Sequence, residues 1–227
     1  MTRLAEVIDA FRETFLKEYG SRLTQDHLRA LAAIGNCRSE VSPKLQVHCP
    51  HCAHGQLVPH SCGHRHCPQC QHHDSQAWLE KQVQRLVPAD YFLLTFTIPA
   101  EFRALARGAQ KTVYDLLIRV GWQTVQSFAH NDRHLQGEAG AIAVLHTHTR
   151  QLEYHPHVHF VVLAAAIDER NRLWRRKQSA KLYLFNHKAL AKVFRGKLLA
   201  GLAAAGLPLP VCAVKNWVVD CDQRKSL

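Results

Sequence analysis

Between Glu153 and Val162 the chain reads EYHPHVHFVV, which sets His155, His157 and His159 on alternate positions ahead of an apolar run. On a β-strand, residues two apart share a face, so the three imidazoles project together while Val158, Phe160 and Val162 turn to a core. Two chemistries suit such a row. In one, a His-hydrophobic-His pair, His157 and His159, holds Mg2+ or Mn2+ against a phosphate that a tyrosine attacks. In the other, one His is itself the nucleophile on a nucleotide and no metal is needed. A row of solvated surface histidines is the bland alternative.

The cysteines form a second constellation. Six of the eight lie between Cys37 and Cys70. Cys49-Pro-His-Cys52 and Cys67-Pro-Gln-Cys70 are CxxC knuckles with fourteen residues between them. That spacing suits one tetrahedral four-cysteine Zn2+ site. His27, Cys37, Cys62 and His66 could supply a second. The segment is dense in Cys, His, Pro and Gly and nearly without apolar periodicity, so zinc would be structural, a staple where there is little core. His51, His54, His60, His64, His72 and His73 read as solvated loop residues.

These groups must be positioned by the elements around them. Leu4, Val7, Ile8, Phe11, Phe15 and Leu16 repeat at helical spacing up to Gly20, and Thr24 can cap a second helix. A short helix is expected over SQAWLEKQVQRLV and a buried strand over YFLLTFTIP. Leu105, Val113, Leu116, Leu117 and Val120 then mark one long helix. The strands AIAVLHTH and HVHFVVLAAAI are joined by a linker short enough for an antiparallel hairpin. A helix capped by Asn186 and a last strand, VCAVKNWVVD, complete the pattern. The expected class is α+β: helices over 1–35, a small zinc-ribbon-like module over 36–76, a helical linker over 77–88, and a sheet domain over 89–227.

Lys and Arg number 29 against 18 Asp and Glu, a net charge of +11, so the expected partner is an anion, and nucleic acid is the commonest. The amphipathic N-terminus does not read as a signal peptide, and no apolar run is long enough to span a bilayer. A reducing, cytoplasmic setting, no membrane partner, and cysteines held as thiols or metal ligands are therefore expected. In RNRLWRRKQSAK the basic residues Arg170, Arg172, Arg175, Arg176 and Lys177 surround Trp174, a pattern that could track phosphates and stack an unpaired base. A solvated loop with Trp174 folded inward explains the same pattern. Arg38, Lys44 and Arg65 are candidate phosphate contacts in the zinc module.

Several blocks, taken in order, resemble one family, the insertion sequence 91 rolling-circle transposases. CRSEVSPKLQVHCPHC, SCGHRHCPQCQ and the Trp of SQAWLE are similar to its zinc-binding domain. LLTFTIPAEFRAL, AIAVLHTHTRQLEYHPHVHFVV and LYLFNHKALAKVFRGKLLAGL are similar to the first part of its transposase domain. The resemblance implies a His-hydrophobic-His (HUH) nuclease fold, with His157 and His159 as metal ligands, His146 or His148 as a third, and His155 as an accessory. It implies metal-assisted cleavage of single-stranded DNA at the ends of a mobile element through a 5′-phosphotyrosine.

The sequence departs from that pattern in two places. The family's nucleophilic tyrosines lie beyond the strand that here reads NWVVDCDQRKSL, and none of Tyr19, Tyr91, Tyr114, Tyr154 and Tyr183 forms a Y-x-x-x-Y pair. The expectation is therefore an HUH domain incomplete at its C-terminus and an inactive, truncated transposase. LAAAID also stands where the family commonly has a glycine-rich turn. A non-catalytic zinc-dependent DNA-binding protein and a histidine-triad nucleotide hydrolase remain open beside this reading, and the oligomeric state is not readable.

Overall fold

The computed structural model describes residues 4–52, 54–177, 184–211 and 216–224. The chain divides into two compact units, Met1–Val87 and Pro88–Leu227. Together they hold helices and antiparallel sheets, the α+β class expected.

The first unit opens with α1 (Leu4–Tyr19) and α2 (Gln25–Gly35). Thr24 caps α2: its hydroxyl accepts from the His27 N–H, and His27 Nδ1 accepts from the Thr24 N–H at 3.1 Å. Both bonds satisfy donors that a helix start leaves without partners. Gly35 lies against Ile8 and Asp9 of α1. The Cys- and His-rich stretch, which offers no sequence periodicity, contains a hairpin of β1 (Lys44–His48) and β2 (Gly55–Pro59). The register pairs Lys44 with Pro59 and His48 with Gly55. Helix α3 (Pro68–Val83) starts inside the second CxxC knuckle, several residues before the expected helix, because Pro68 suits the first helical turn and Cys67 precedes it in extended conformation.

The second unit is built on an antiparallel sheet with the strand order β4 (Glu138–His148), β5 (Tyr154–Asp168), β3 (Tyr91–Thr97), β7 (Val219–Arg224). Phe92, Leu94 and Phe96 of β3 and Val158, Phe160 and Val162 of β5 alternate into the core, as strand periodicity requires. Over them pack α5 (Gln110–Asn131) and α6 (His187–Ala204), the latter capped by Asn186 and burying Leu190, Phe194, Leu198 and Leu202. Phe96 meets Phe160 edge-on at 5.6 Å and Phe194 at 4.9 Å. Gly121 lets α5 approach the sheet: a Cβ there would stand 2.6 Å from the Phe160 ring. The opposite sheet face, carrying Thr95, Thr97, His157 and His159, is half-buried.

Three local expectations are revised and one is extended. The single long helix is two, α4 (Arg103–Gly108) and α5, because Ala109 takes φ −128° and ψ 48°, outside the helical region. The LAAAI stretch lies within β5 as the expected strand has it, with Ala164, Ala165 and Ala166 buried, and the strand runs on to Asp168. The basic loop contains a strand, β6 (Leu173–Arg176), paired with β5 where β3 has ended. The last strand runs over Val219–Arg224 rather than from Val211, and residues 212–215 of the expected strand lie outside the described residues, as does Tyr183.

Candidate metal centres and nucleic-acid interface

Register decides which histidines meet. In the β4–β5 ladder His146 lies opposite His157 and Val144 opposite His159, so His146 joins the imidazoles of β5. The ring centroids of His146, His157 and His159 stand 5.3, 4.5 and 4.9 Å apart, and one nitrogen of each lies within 4.8 Å of the others. A register shift between His146 and His148 sets His148 opposite Tyr154, whose ring it touches at 5.8 Å. The shift moves His148 out of the cluster, since one residue of slip exchanges the two faces of a strand. Of the two third-ligand candidates, the structure brings in His146 and leaves out His148.

The neighbours of the three rings orient them. His157 Nδ1 lies 2.7 Å from the His155 carbonyl oxygen. A carbonyl only accepts, so Nδ1 carries the proton and Nε2 presents its lone pair to the cluster. His159 Nδ1 bonds Thr95 Oγ1 at 2.9 Å across the β3–β5 ladder. Burial lowers the His146 pKa and the neighbouring His157 lowers it further, favouring the neutral imidazole that a metal needs. Such second-partner hydrogen bonds are what fix metal-binding histidines.

His155 stands apart. Its Nδ1 accepts from Arg103 Nη2 at 3.2 Å, and its ring lies 5.5 Å from that of His157. Burial, Arg103 and His157 together lower its pKa. Tyr154 shares a hydrogen bond of 2.9 Å with the Tyr114 hydroxyl and carries the Arg107 guanidinium over its ring. Burial and the Tyr114 bond raise its pKa, so this phenol is held in its neutral form.

The cysteines are grouped differently from the two-knuckle expectation. Cys37, Cys62, Cys67 and Cys70 converge, with Sγ atoms all within 4.8 Å of one another. Cys37 and Cys70 are 3.3 Å apart, and Cys62 and Cys70 are 3.6 Å apart. Tetrahedral zinc thiolates place sulfurs about 3.8 Å apart, so this cage fits Zn2+. Burial pushes the Cys37 thiol up to about 12. Cys70 is also raised by burial, but hydrogen bonds from Ser61, Cys37 and Cys62 bring it down to about 6. Three of the four are buried, and Ile34 packs against them.

Cys49 and Cys52 lie at the end of the β1–β2 hairpin and outside this cage. The hairpin carries them away, because only the strand flanks of a tight turn stay in register. Hydrogen bonds from the His51 and Cys52 N–H groups and the Cys52 thiol lower the Cys49 pKa. His27 is committed at Nδ1 to the α2 cap, and His66, whose pKa is lowered by burial and by Arg65, is not in the cage. The signal that paired Cys37 and Cys62 with Cys67 and Cys70 was not readable from spacing, since it depends on how the hairpin folds out.

The basic stretch separates into two groups. Arg175 donates to Asp168 at 2.8 Å and to Gln136 at 3.2 Å, and Lys177 donates to Asp132 and to the Leu184 carbonyl. Arg175 thus closes the β5–β6 hairpin, and Lys177 ties the residue after β6 to the loop that follows α5. Arg170, Arg172 and Arg176 are exposed, and Trp174 is 47% exposed rather than folded inward. In the first unit Arg38 and Arg65 are exposed, whereas Lys44 pairs with Glu40 at 3.1 Å. No described helix is long and apolar enough to cross a membrane.

Residues 7–98 match the family model described as "Transposase zinc-binding domain", and residues 140–224 the one described as "Putative transposase". The chain is 32% identical over 203 residues to "Putative transposase y4qJ" of Sinorhizobium fredii, covering 88% of this chain and 50% of that protein. It is 31% identical over 124 residues to "Transposase for insertion sequence element IS801" of Pseudomonas savastanoi pv. phaseolicola, covering 55% of this chain and 29% of that protein. It thus spans half or less of the length of these curated relatives. Among solved structures, the conjugative relaxase TrwC with OriT DNA aligns in its metal-bound form at TM-score 0.44 and 18% identity, over 58% of this chain and 49% of that one. Two transposase models thus match in chain order, the first running through β3 and the second beginning in β4, and by both models and both relatives the chain is similar to transposases along most of its length.

Proposed function

We propose that the chain is the zinc- and DNA-binding portion of a rolling-circle transposase whose HUH site works on single-stranded DNA at the ends of a mobile element. The observation that carries the reading is the convergence of His146, His157 and His159 on the half-buried sheet face of a chain with a net charge of +11. These three residues would hold Mg2+ or Mn2+, which when bound supplies Lewis-acid polarisation of a phosphoryl oxygen. The chain's own groups prepare the site. The His155 carbonyl fixes the tautomer of His157, and Thr95 orients His159. The sheet face carrying them is not filled by α5 or α6, whose apolar faces pack on the other side.

Arg170, Arg172 and Arg176 would follow phosphates, with Trp174 as a stacking surface for an unpaired base. The attacking group is a tyrosine in this reading; Tyr114 and Tyr154 bond each other and are not assigned to it. Cys37, Cys62, Cys67 and Cys70 would hold a structural Zn2+, within a module spanning 36–76 that precedes the HUH domain of 89–227. Such a protein would act at the bacterial nucleoid.

The test is a Mn2+ titration by calorimetry, together with fluorescence anisotropy on a labelled single-stranded oligonucleotide. In His157→Ala the Mn2+ isotherm at this site is lost while single-strand binding survives. Wild-type protein that binds neither Mn2+ nor single-stranded DNA would sink the reading, and metal-independent hydrolysis of a nucleotide would favour a histidine-triad hydrolase.

A further inference from the structure

Beside the histidine cluster, on the far side of His155, an open cleft of about 670 Å³ is lined by Arg103, Ala104, Arg107, Gly108, Glu153 and Tyr154. Arg103 and Arg107 are four residues apart on α4 and so share one face of the helix. Each is held by a group of β5: Arg103 Nη2 donates to His155 Nδ1, and the Arg107 guanidinium lies 4.9 Å from the centroid of the Tyr154 ring. Among the described residues, Arg103 forms no ion pair, and its Nε is buried without a hydrogen-bond partner. A half-buried guanidinium with a buried, unbonded Nε and one neutral imidazole as its partner is under-compensated, since its charge lacks an anion. The break between α4 and α5 at Ala109 is what aims this face at β5.

We propose that Arg103 and Arg107 form a subsite for a second phosphodiester of the bound DNA strand, next to the phosphate at the histidine cluster. The inference rests on the reading of that cluster given above. Guanidinium forks match phosphate oxygens in charge and planar geometry. His155 links the two places, because it accepts from Arg103 on one side and supplies the carbonyl that fixes His157 on the other. A strand backbone lying along the β5 histidine row would thus meet the cluster and then the arginines. Glu153 is the opposing charge in the cleft; it leaves the two arginines in excess and would repel a phosphate set too far toward the β4–β5 turn.

The test measures anisotropy of the full chain with a labelled single-stranded oligonucleotide across a salt series, and Mn2+ binding by calorimetry. Arg107→Gln, an exposed change, and Arg103→Gln are each expected to weaken DNA binding by about tenfold at low salt. Each should also make the log K against log salt slope shallower by about 0.7 for every phosphate no longer neutralised. Mn2+ affinity should stay at the wild-type value in Arg107→Gln, and Glu153→Gln should bind DNA more tightly. On wild-type protein, a neutral methylphosphonate scanned along the oligonucleotide should weaken binding at a position next to the one most sensitive to Mn2+, which tests the subsite even where Arg103→Gln fails to fold. A wild-type salt slope in Arg107→Gln, with wild-type DNA and Mn2+ binding intact, would overturn the subsite alone. Loss of both Mn2+ and DNA binding in the wild type would overturn it together with the functional reading. Inorganic phosphate competing as strongly as the oligonucleotide would assign the cleft to a free anion and overturn it too.

Discussion

His146 and His148 are two positions apart, and an unbroken strand would turn both imidazoles to the same side. The irregularity between them makes them unequal: His146 lies opposite His157, while His148 meets the Tyr154 ring. His146→Ala should therefore abolish Mn2+ binding or weaken it at least tenfold, and His148→Ala should leave the calorimetric isotherm unchanged. Thr95→Val keeps the shape of the side chain but removes the oxygen bonded to His159 Nδ1. A fall of about 10- to 100-fold in Mn2+ affinity is expected, with the fold intact by circular dichroism, as for other outer partners of metal-bound histidines. Equal losses in His146→Ala and His148→Ala would contradict the register argument.

At the scale of elements, α5 and the β5–β6 hairpin set the geometry. Gly121 is where α5 comes closest to Phe160, one residue from His159. Gly121→Ala must push the helix from a ring that is 1% exposed, and overpacking of this kind costs about 1–3 kcal/mol. The midpoint of thermal or urea unfolding would report it. The hairpin is held by Asp168, whose hydrogen bonds from Asn171 and Arg175 bring its carboxyl down to about 2. Asp132 is raised by burial but lowered overall by Lys177 and the His134 N–H. Both carboxyls sit below their unfolded values, so their stabilisation is complete above about pH 4 and falls away in acid; for Asp168 it is lost as pH falls towards about 2. Acid unfolding of Asp168→Asn should accordingly be less steep over that range than that of the wild type.

At the scale of the whole molecule, the two units rest on different foundations. Pro88–Leu227 has a continuous core of β3, β5, α5 and α6, whereas the buried apolar cluster of Met1–Val87 is Cys37, Cys67 and Cys70, with Ile34 and Cys62 beside them. A unit with so little apolar burial depends on its staple. Removal of zinc by a chelator should unfold the first unit, read as rapid amide exchange over β1, β2 and α3, while β3 and β5 stay protected. Simultaneous loss of protection in both units would contradict this division. Cys70→Ser should mimic the chelator, and Cys52→Ser should not.

The sequence by itself determined which residues carry chemistry and much of the framework that holds them. The alternation of His157 and His159 with Val158 and Phe160 required a strand with one apolar face, and the caps at Thr24 and Asn186 marked helix starts, because these signals are local in the chain. The zinc-binding family was legible in the CxxC knuckles and their order. What only the tertiary structure decided was partnership. Cys37 and Cys62, not Cys49 and Cys52, share a cage with Cys67 and Cys70, and His146 rather than His148 completes the histidine cluster. Arg175 and Lys177 are taken up by ion pairs with Asp168 and Asp132, while Arg103 and Arg107, which no sequence signal singled out as binding residues, face β5. Each outcome depends on strand register or on a break in a helix, where one residue of shift redirects every side chain beyond it, and spacing along the chain does not encode that shift.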